Sequence, residues 1–465
     1  MGAGKSTVGA EAARLLGRPF VDLDGELESE TGSRVHQLFA ERGEAEFREL
    51  EEELAVEALA DPALAVVALG GGAVTSERIR ESLAERALTV WLQVDLDEAW
   101  RRAAGPERPL ARDEAGFRAL YAERAPLYEE AADAQAGDLD DVVLAAAGVH
   151  VESGALGRLG ELVPGDGPVA LVTDPRVAGI HGADAQVALG DRLASVHELP
   201  PGEAAKTIAA CEALWQELRL DRYGTIVALG GGCTTDAAGF AAAAYLRGVA
   251  WVPVPTTLVG QVDAAIGGKT GLNLPAGKNL VGAFHWPVRT VVDPALLATL
   301  PGDERGAGLA EVVKTGLLAG EELWELPEPE QVRRCAAFKA AVCLRDPLDD
   351  PVRGERAILN LGHTFAHALE AAAGYEGLRH GHAVALGLLA ALRLSGLDTS
   401  AVEETLAPKP ARVDPERAWE ALRRDKKAEG GRIRLVLLER LGEPRWPAEL
   451  PEAEVRSALD GIIAS

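Results

Sequence analysis

Apolar positions along the chain follow two rhythms. Short aliphatic runs bounded by glycine, proline or aspartate read as buried strands: PFVDLD, VVALGGG, TVWLQV (89–94), VALVTD, TIVALGGG and WVPVP. Between them, apolar residues recur at helical spacing, first in KSTVGAEAARLLG, then in the charged GEAEFRELEEELAVEAL, and later in AGLAEVVKTGLL and LNLGHTFAHALE. Strands alternating with helices predict parallel α/β sheets, whose ligands bind at the carboxyl ends of the strands. Residues 129–150 lose this pattern and end a first domain near Ala147. A second β/α series begins at GPVALVTDPRV.

Chemistry collects where strands stop. At the start, GAGKST (Gly2, Gly4, Lys5, Ser6, Thr7) makes most of a phosphate-cradling GxxxxGK[ST] loop opening a helix. Glycines admit backbone N–H groups to phosphate, lysine reaches the outer oxygens, and serine holds Mg²⁺. The strand that should precede this loop and the motif's first glycine are both missing. A parallel sheet without that strand exposes its neighbours' edges, so the expectation is a native start further upstream. TIVALGGG runs a strand into Gly230–Gly232, with Asp236 just inside the next helix, a turn suited to pyrophosphate. Thr256, Thr257, Asp263, Lys269, Lys278 and Asn279 follow in glycine-rich segments and suggest a bound phosphate. In LNLGHTFAHALE, His363 and His367 share a helix face. With Glu311, Lys314 and His380 they form candidates for a divalent metal site with an open position.

Composition narrows the classes. The 465 residues suffice for two to four domains, and 47% hydrophobic against 5% aromatic residues implies cores packed with aliphatics and alanine. A net charge of −26 argues against nucleic acid or anionic membranes as partners, since both need a basic footprint. The four cysteines make no CxxC pair, and neither a signal peptide nor a long apolar span is evident, so a reducing cytoplasm is expected.

Residues 1–147 resemble shikimate kinase through GAGKST, Asp22-Leu-Asp24, Phe47-Arg48-Glu49-Leu50-Glu51, Gly70–Gly72, Arg108-Pro109-Leu110 and Arg124-Ala-Pro-Leu-Tyr128. The resemblance implies a P-loop domain with a parallel sheet. It implies Mg²⁺ on Ser6 and Asp22, and ATP on Gly2, Gly4, Lys5, Ser6, Thr7 and Arg108. Shikimate would lie on Asp24, Arg48, Gly71, Gly72 and Arg124. Arginine suits its carboxylate, and phosphoryl transfer is mostly positioning and charge neutralisation.

From about 149 to 440 the chain resembles 3-dehydroquinate synthase. The motifs stand in the family's order: GExxK (Glu203, Lys206), GGGxxxDxxGF, RGV (Arg247), PTTLxxxVDxxxGGK, GKN, AExxK (Glu311, Lys314), RxxLNxGHTxxHAxE (Arg356 to Glu370), His380-Gly and DKK (Asp425–Lys427). The resemblance implies an NAD-binding α/β domain (148–300) and a mainly helical metal-binding domain (301–465). NAD would take Asp174, Glu203, Lys206, Gly231, Gly232, Asp236, Thr256, Thr257, Asp263 and Lys278. Zn²⁺ or Co²⁺ would take Glu311, His363 and His380. Lys269, Lys314, Lys339, Arg247, Arg356, Asn360, His367, Asn279 and Lys426 would handle the substrate. The implied reaction turns 3-deoxy-D-arabino-heptulosonate 7-phosphate into 3-dehydroquinate by oxidation at C5, loss of phosphate, return of the hydride and an aldol closure. A homodimer is also implied. Three departures stand out: His382 where the family has glutamate after His380-Gly, a longer spacer DPLDDPVRG between Lys339 and Arg356, and Arg176 near the adenosine position. The expectation is a bifunctional enzyme. Its alternatives are a synthase with a non-catalytic kinase half, a cyclase acting on another sugar phosphate, or a binding protein with decayed sites.

Overall fold

The computed structural model describes residues 2–103, 113–374, 377–425 and 432–464. The expected site residues Arg108 and Lys426 lie outside the described residues. The chain forms two compact units, Met1–Ala147 and Gly148–Ser465.

In the first unit, helix α1 (Lys5–Leu16) starts at Gly4, whose left-handed φ of 82° turns the glycine-rich N-terminal segment into the helix. Strand β1 (Phe20–Asp22) leads to α2 (Leu23–Thr31), which the Asp22 carboxylate caps by accepting from the Asp24 N–H. Helix α3 (Val35–Ala60) extends further upstream than the expected helix beginning at Gly43. Gly43 breaks it with φ 84° and ψ 170°, a conformation glycine accepts without strain. Strand β2 (Val66–Ala68) pairs in parallel with β1, and β3 (Val90–Leu92) pairs in parallel with β4 (Ala134–Ala136). The parallel strands expected here are present, and without the strand expected before the glycine-rich loop they form two pairs. Each strand is three residues long, and no strand among the described residues joins β2 to β3. Helix α4 (Glu114–Ala131) carries Arg124 and Tyr128.

The second unit opens with β5 (Val149–Val151). A four-stranded parallel sheet follows, built from β6 (Val169–Thr173), β7 (Leu193–Glu198), β8 (Thr225–Gly230) and β9 (Ala250–Pro255) in the order β7-β6-β8-β9. Its central strands are buried on both faces, which explains their unbroken aliphatic runs. Ala170, Val172, Ile226 and Ala228 face the alanines of α5 (Gly232–Ala244), while Val169, Leu171, Val227 and Leu229 pack with Leu159 and Leu189. A hairpin of β10 (Lys269–Leu274) and β11 (Gly277–Phe284) follows, and β12 (Thr290–Val292) pairs with β5.

Beyond Asp293 the unit is mainly helical: α6 (Gly302–Ala319), α7 (Glu328–Arg345), α8 (His363–Ala372) and α9 (His380–Ser395), with the antiparallel pair β13 (Arg432–Arg440) and β14 (Glu443–Pro451). Their shared core includes Val313, Leu317, Phe365, Leu369, Leu388 and Leu392. The helix expected across Leu359–Glu370 begins only at His363, because Glu355–Asn360 is a tighter 3-10 turn and Gly362 is left-handed with φ 78°. Among the described residues no helix is long and apolar enough to cross a membrane, and all four cysteines are free.

Candidate active sites

In the second unit, three helices meet through glycine. A Cβ on Gly381 would overlap the backbone of Ala307 in α6, and one on Gly387 would overlap the carbonyl of Gly362 at the head of α8. Absent side chains at these points let α9 approach both neighbours closely. Glu311 of α6, His363 of α8 and His380 of α9 consequently converge, with one ligand atom from each lying within 4.8 Å of the others. Glu311 is fully buried. Its Oε1 is 3.4 Å from His363 Nε2 and 3.2 Å from His380 Nε2. Its Oε2 has an ion pair with Lys314 Nζ at 2.5 Å but no aligned hydrogen bond.

The donor set suits a divalent cation: one carboxylate and two imidazoles, each ring turning Nε2 inward. His363 Nδ1 meets the Leu361 carbonyl at 3.2 Å, and His380 Nδ1 meets Glu370 Oε1 at 3.4 Å. Burial opposes charge on Glu311, yet Lys314 and the two imidazoles outweigh it and hold the carboxyl well below 4.5. Burial likewise opposes a proton on His380, but Glu311 and Glu370 raise it to about 10. His382 turns away to bond the Lys409 carbonyl at 2.6 Å.

Beside this cluster, Asp263 sits between two ammonium groups. Lys339 Nζ donates to its carboxylate and, at 2.5 Å, to its backbone carbonyl, while Lys314 lies 3.9 Å away. Burial resists the charge on Asp263, and the two lysines still lower its pKa. Gly231 caps α5 in the turn after β8, and the Thr256 N–H donates to the Gly230 carbonyl. Asp174 caps the next turn after β6, accepting from the Arg176 and Val177 N–H groups, with the Thr234 hydroxyl 3.4 Å from its other oxygen. Thr257 caps its own turn by accepting from the Gly260 N–H. Buried Lys206 donates to Asp236 and, at 2.5 Å, to Asn279 Oδ1. Lys278 lies 3.1 Å from Glu203 and 3.8 Å from Glu370. The hairpin thus ties the turn after β7 and, through Lys206, the first turns of α5 to Glu370 of α8, beside the Glu311–His363–His380 cluster.

The expected phosphate-cradling residues are more dispersed. Arg356 is buried and donates to the Gly267 carbonyl at 3.1 Å. Lys269 pairs with Asp349 at 2.5 Å, a residue of the long spacer that motif reasoning did not single out. Arg247 is exposed at a left-handed φ of 67°, Asn360 is exposed, and the His367 ring lies 5.6 Å from that of His363. Glu370 closes the RxxLNxGHTxxHAxE motif. Its contact with His380 spans a loop and has no sequence signal.

In the first unit, Arg48 of α3 and Arg124 of α4 converge on the Gly70–Gly72 turn. Arg124 Nη1 donates to the Gly71 carbonyl at 3.2 Å, as does the Tyr128 hydroxyl at 2.5 Å. Cβ atoms on Gly70 and Gly72 would overlap Glu51 and the Arg48 guanidinium, and Asp24 stands at the same turn. Arg48 bonds Glu51 at 2.5 Å. Burial raises the pKa of that carboxyl and Arg48 opposes the shift. Glu51 is thus the buried partner that aims Arg48, a role its motif position did not announce. A cavity of about 230 Å³ is lined by Arg48, Glu51, Gly72 and Ser76. Lys5 is half-buried, while Ser6 and Thr7 at the start of α1 are exposed.

Comparison with known proteins follows the same division. A shikimate kinase family model matches residues 1–145. Models of the 3-dehydroquinate synthase N-terminal and C-terminal regions match residues 196–307 and 308–428. The 3-dehydroquinate synthase of Bordetella pertussis is 41% identical over 348 residues, covering 67% of this chain and 95% of the relative. Among solved structures, 2-deoxy-scyllo-inosose synthase complexed with carbaglucose-6-phosphate, NAD⁺ and Co²⁺ is similar, with 26% identity, a TM-score of 0.60 and coverage of 68% and 96%. So is 2-epi-5-epi-valiolone synthase from Streptomyces hygroscopicus with NAD⁺ and Zn²⁺ bound, with 26% identity, a TM-score of 0.54 and the same coverages.

Proposed function

Because the chain belongs to the 3-dehydroquinate synthase family and carries a shikimate kinase domain ahead of that region, we propose that it catalyses two reactions. The second unit converts 3-deoxy-D-arabino-heptulosonate 7-phosphate to 3-dehydroquinate and phosphate. The first transfers a phosphoryl group from ATP to shikimate. One observation carries the synthase reading: the Glu311–His363–His380 cluster shares a buried site with the Lys314–Asp263–Lys339 group. Identity of 41% to a dehydroquinate synthase against 26% to cyclases of other names favours the heptulosonate substrate.

When bound, NAD accepts and returns a hydride, and Zn²⁺ or Co²⁺ on Glu311, His363 and His380 lends Lewis acidity to the reacting hydroxyl. The protein's own groups bind and orient. Lys314, kept charged by Asp263 and Glu311, and Lys339 donate to the substrate's carboxylate and ring hydroxyls. Lys269, Arg247, Asn279, Arg356, Asn360 and His367 cradle the phosphate and stabilise its charge as it leaves. The α5 N-terminus at Gly231–Gly232 receives the cofactor's pyrophosphate, and Asp174, Glu203, Lys206, Asp236, Thr256, Thr257 and Lys278 hold the rest of it. In the first unit, Ser6 and Asp22 hold Mg²⁺, Gly2, Gly4, Lys5 and Thr7 hold ATP, and Arg48, Arg124, Asp24, Gly71 and Gly72 hold shikimate.

A second reading keeps the synthase and makes the first unit non-catalytic. The separation of its two strand pairs favours this reading. Two assays on the full chain decide between them. Heptulosonate-dependent phosphate release is expected, and its absence overturns the synthase. Shikimate-dependent ADP formation is expected as well, and its absence leaves the synthase alone.

A further inference from the structure

We propose that Glu370 is a positioning residue for the metal ligand His380, bracing its ring so that Nε2 faces Glu311 and the cation. The proposal rests on the metal-site reading above and adds a residue outside the ligand set.

Glu370 is 4% exposed and lies seven residues after His363 on α8, so one helix carries a ligand and the brace of another. Its Oε1 is 3.4 Å from His380 Nδ1 and 3.8 Å from Lys278 Nζ. The opposite ring nitrogen of His380 is 3.2 Å from Glu311 Oε1. An imidazole binds a cation through a nitrogen whose lone pair is free, and an acceptor at the other nitrogen fixes which one that is. His363 is braced in the same sense by the Leu361 carbonyl. Both rings are therefore held from behind, one by backbone and one by a carboxylate. Packing alone does not call for the carboxylate. Phe365 and Leu369 on the same helix are fully buried, and an apolar side chain at 370 would fill the position without burying a charge. Lys278 offsets that charge and joins the brace to Glu203 at 3.1 Å, on the cofactor side of the site.

The test uses the full chain, stripped of metal and titrated with Zn²⁺ against a chromophoric chelator, with Co²⁺ absorption as a second readout. Glu370→Ala is expected to lower Zn²⁺ affinity about 10- to 100-fold, the usual effect of removing such a partner, and to alter the Co²⁺ ligand-field bands. Glu370→Gln retains an oxygen acceptor and is expected to fall between that variant and the parent. Should Glu370→Ala fail to fold, the glutamine variant carries the test alone. Affinity and Co²⁺ spectrum unchanged from the parent would overturn the proposal. His363→Ala separates the two levels: if the parent binds no Zn²⁺, or binding ignores His363, the metal-site reading itself falls and takes the brace with it.

Discussion

Glu311 concentrates the chemistry of single residues in this protein. It is fully buried, and its charge is held by Lys314 on one oxygen and two imidazoles on the other. Deleting it strands Lys314, itself 2% exposed, with Asp263 at 3.9 Å as its remaining close carboxylate. Breaking a buried pair from one side costs about 3–5 kcal/mol. Glu311→Ala is therefore expected to lose Zn²⁺ binding and to lower urea stability by about that amount; a variant as stable as the parent would show that Lys314 is not dependent on it. Gly72 makes a related case. A Cβ there overlaps the end of the Arg48 side chain, which can swing aside only by loosening its bond to the buried Glu51 carboxylate. Gly72→Ala is therefore expected to lower the melting temperature as well. Losing a charged hydrogen-bond donor, worth about 1.5–3 kcal/mol, should raise the shikimate KM about 10- to 100-fold in the ADP assay. At this scale the sequence was informative about residue types and silent about partners. GKST, FRxxE and GHTxxH could be read directly, and FRxxE sets Arg48 and Glu51 one turn apart on α3, whereas the Glu370–His380 and Asp349–Lys269 pairs depend on intervening loops.

Elements decide which of those residues meet. His363 and His367 lie on one helix face by spacing, yet only His363 reaches Glu311, because the exposed His367 stands a turn further along α8. The third imidazole arrives on α9 across a separate loop, so helical periodicity could not have paired it with His363; the order of motifs supplied it. What brings α9 close enough is the glycine contact between Gly381 and Ala307. Unlike Arg48, the obstacle there is backbone and cannot step aside. Gly381→Ala is expected to cost about 1–3 kcal/mol, the usual range for overpacking, and to weaken Zn²⁺ binding by moving His380 away from Glu311. Calorimetry and chelator competition would check both, and unchanged metal affinity would show that the helix contact does not set the site. The strands teach a related lesson. Uninterrupted aliphatic runs foretold the doubly covered β6 and β8, where burial on both faces leaves no alternation to read. They did not foretell that β1–β2 and β3–β4 would form separate pairs, since pairing depends on what lies between strands rather than on any strand's own residues.

For the molecule as a whole, two compact units present two donor sets that suit different metals. The Glu311–His363–His380 set contains two imidazoles and one carboxylate, which suits Zn²⁺ or Co²⁺. The residues proposed for the kinase unit, Ser6 and Asp22, offer only oxygen, which suits Mg²⁺ bridging the phosphates of ATP. A chelator that prefers nitrogen-binding transition metals should therefore separate the activities within one intact chain. Dipicolinate, in the presence of excess Mg²⁺, is expected to abolish heptulosonate-dependent phosphate release while sparing shikimate-dependent ADP formation. Added Zn²⁺ or Co²⁺ should restore the first without altering the second. If both activities fall together and return together, the two units share a metal dependence that their donor sets do not explain, and the assignment of Mg²⁺ to the first unit fails. If phosphate release survives removal of metal to below stoichiometric amounts, the buried carboxylate–imidazole cluster is a structural ion network, and Lys314 and Lys339 carry the substrate's charge without it.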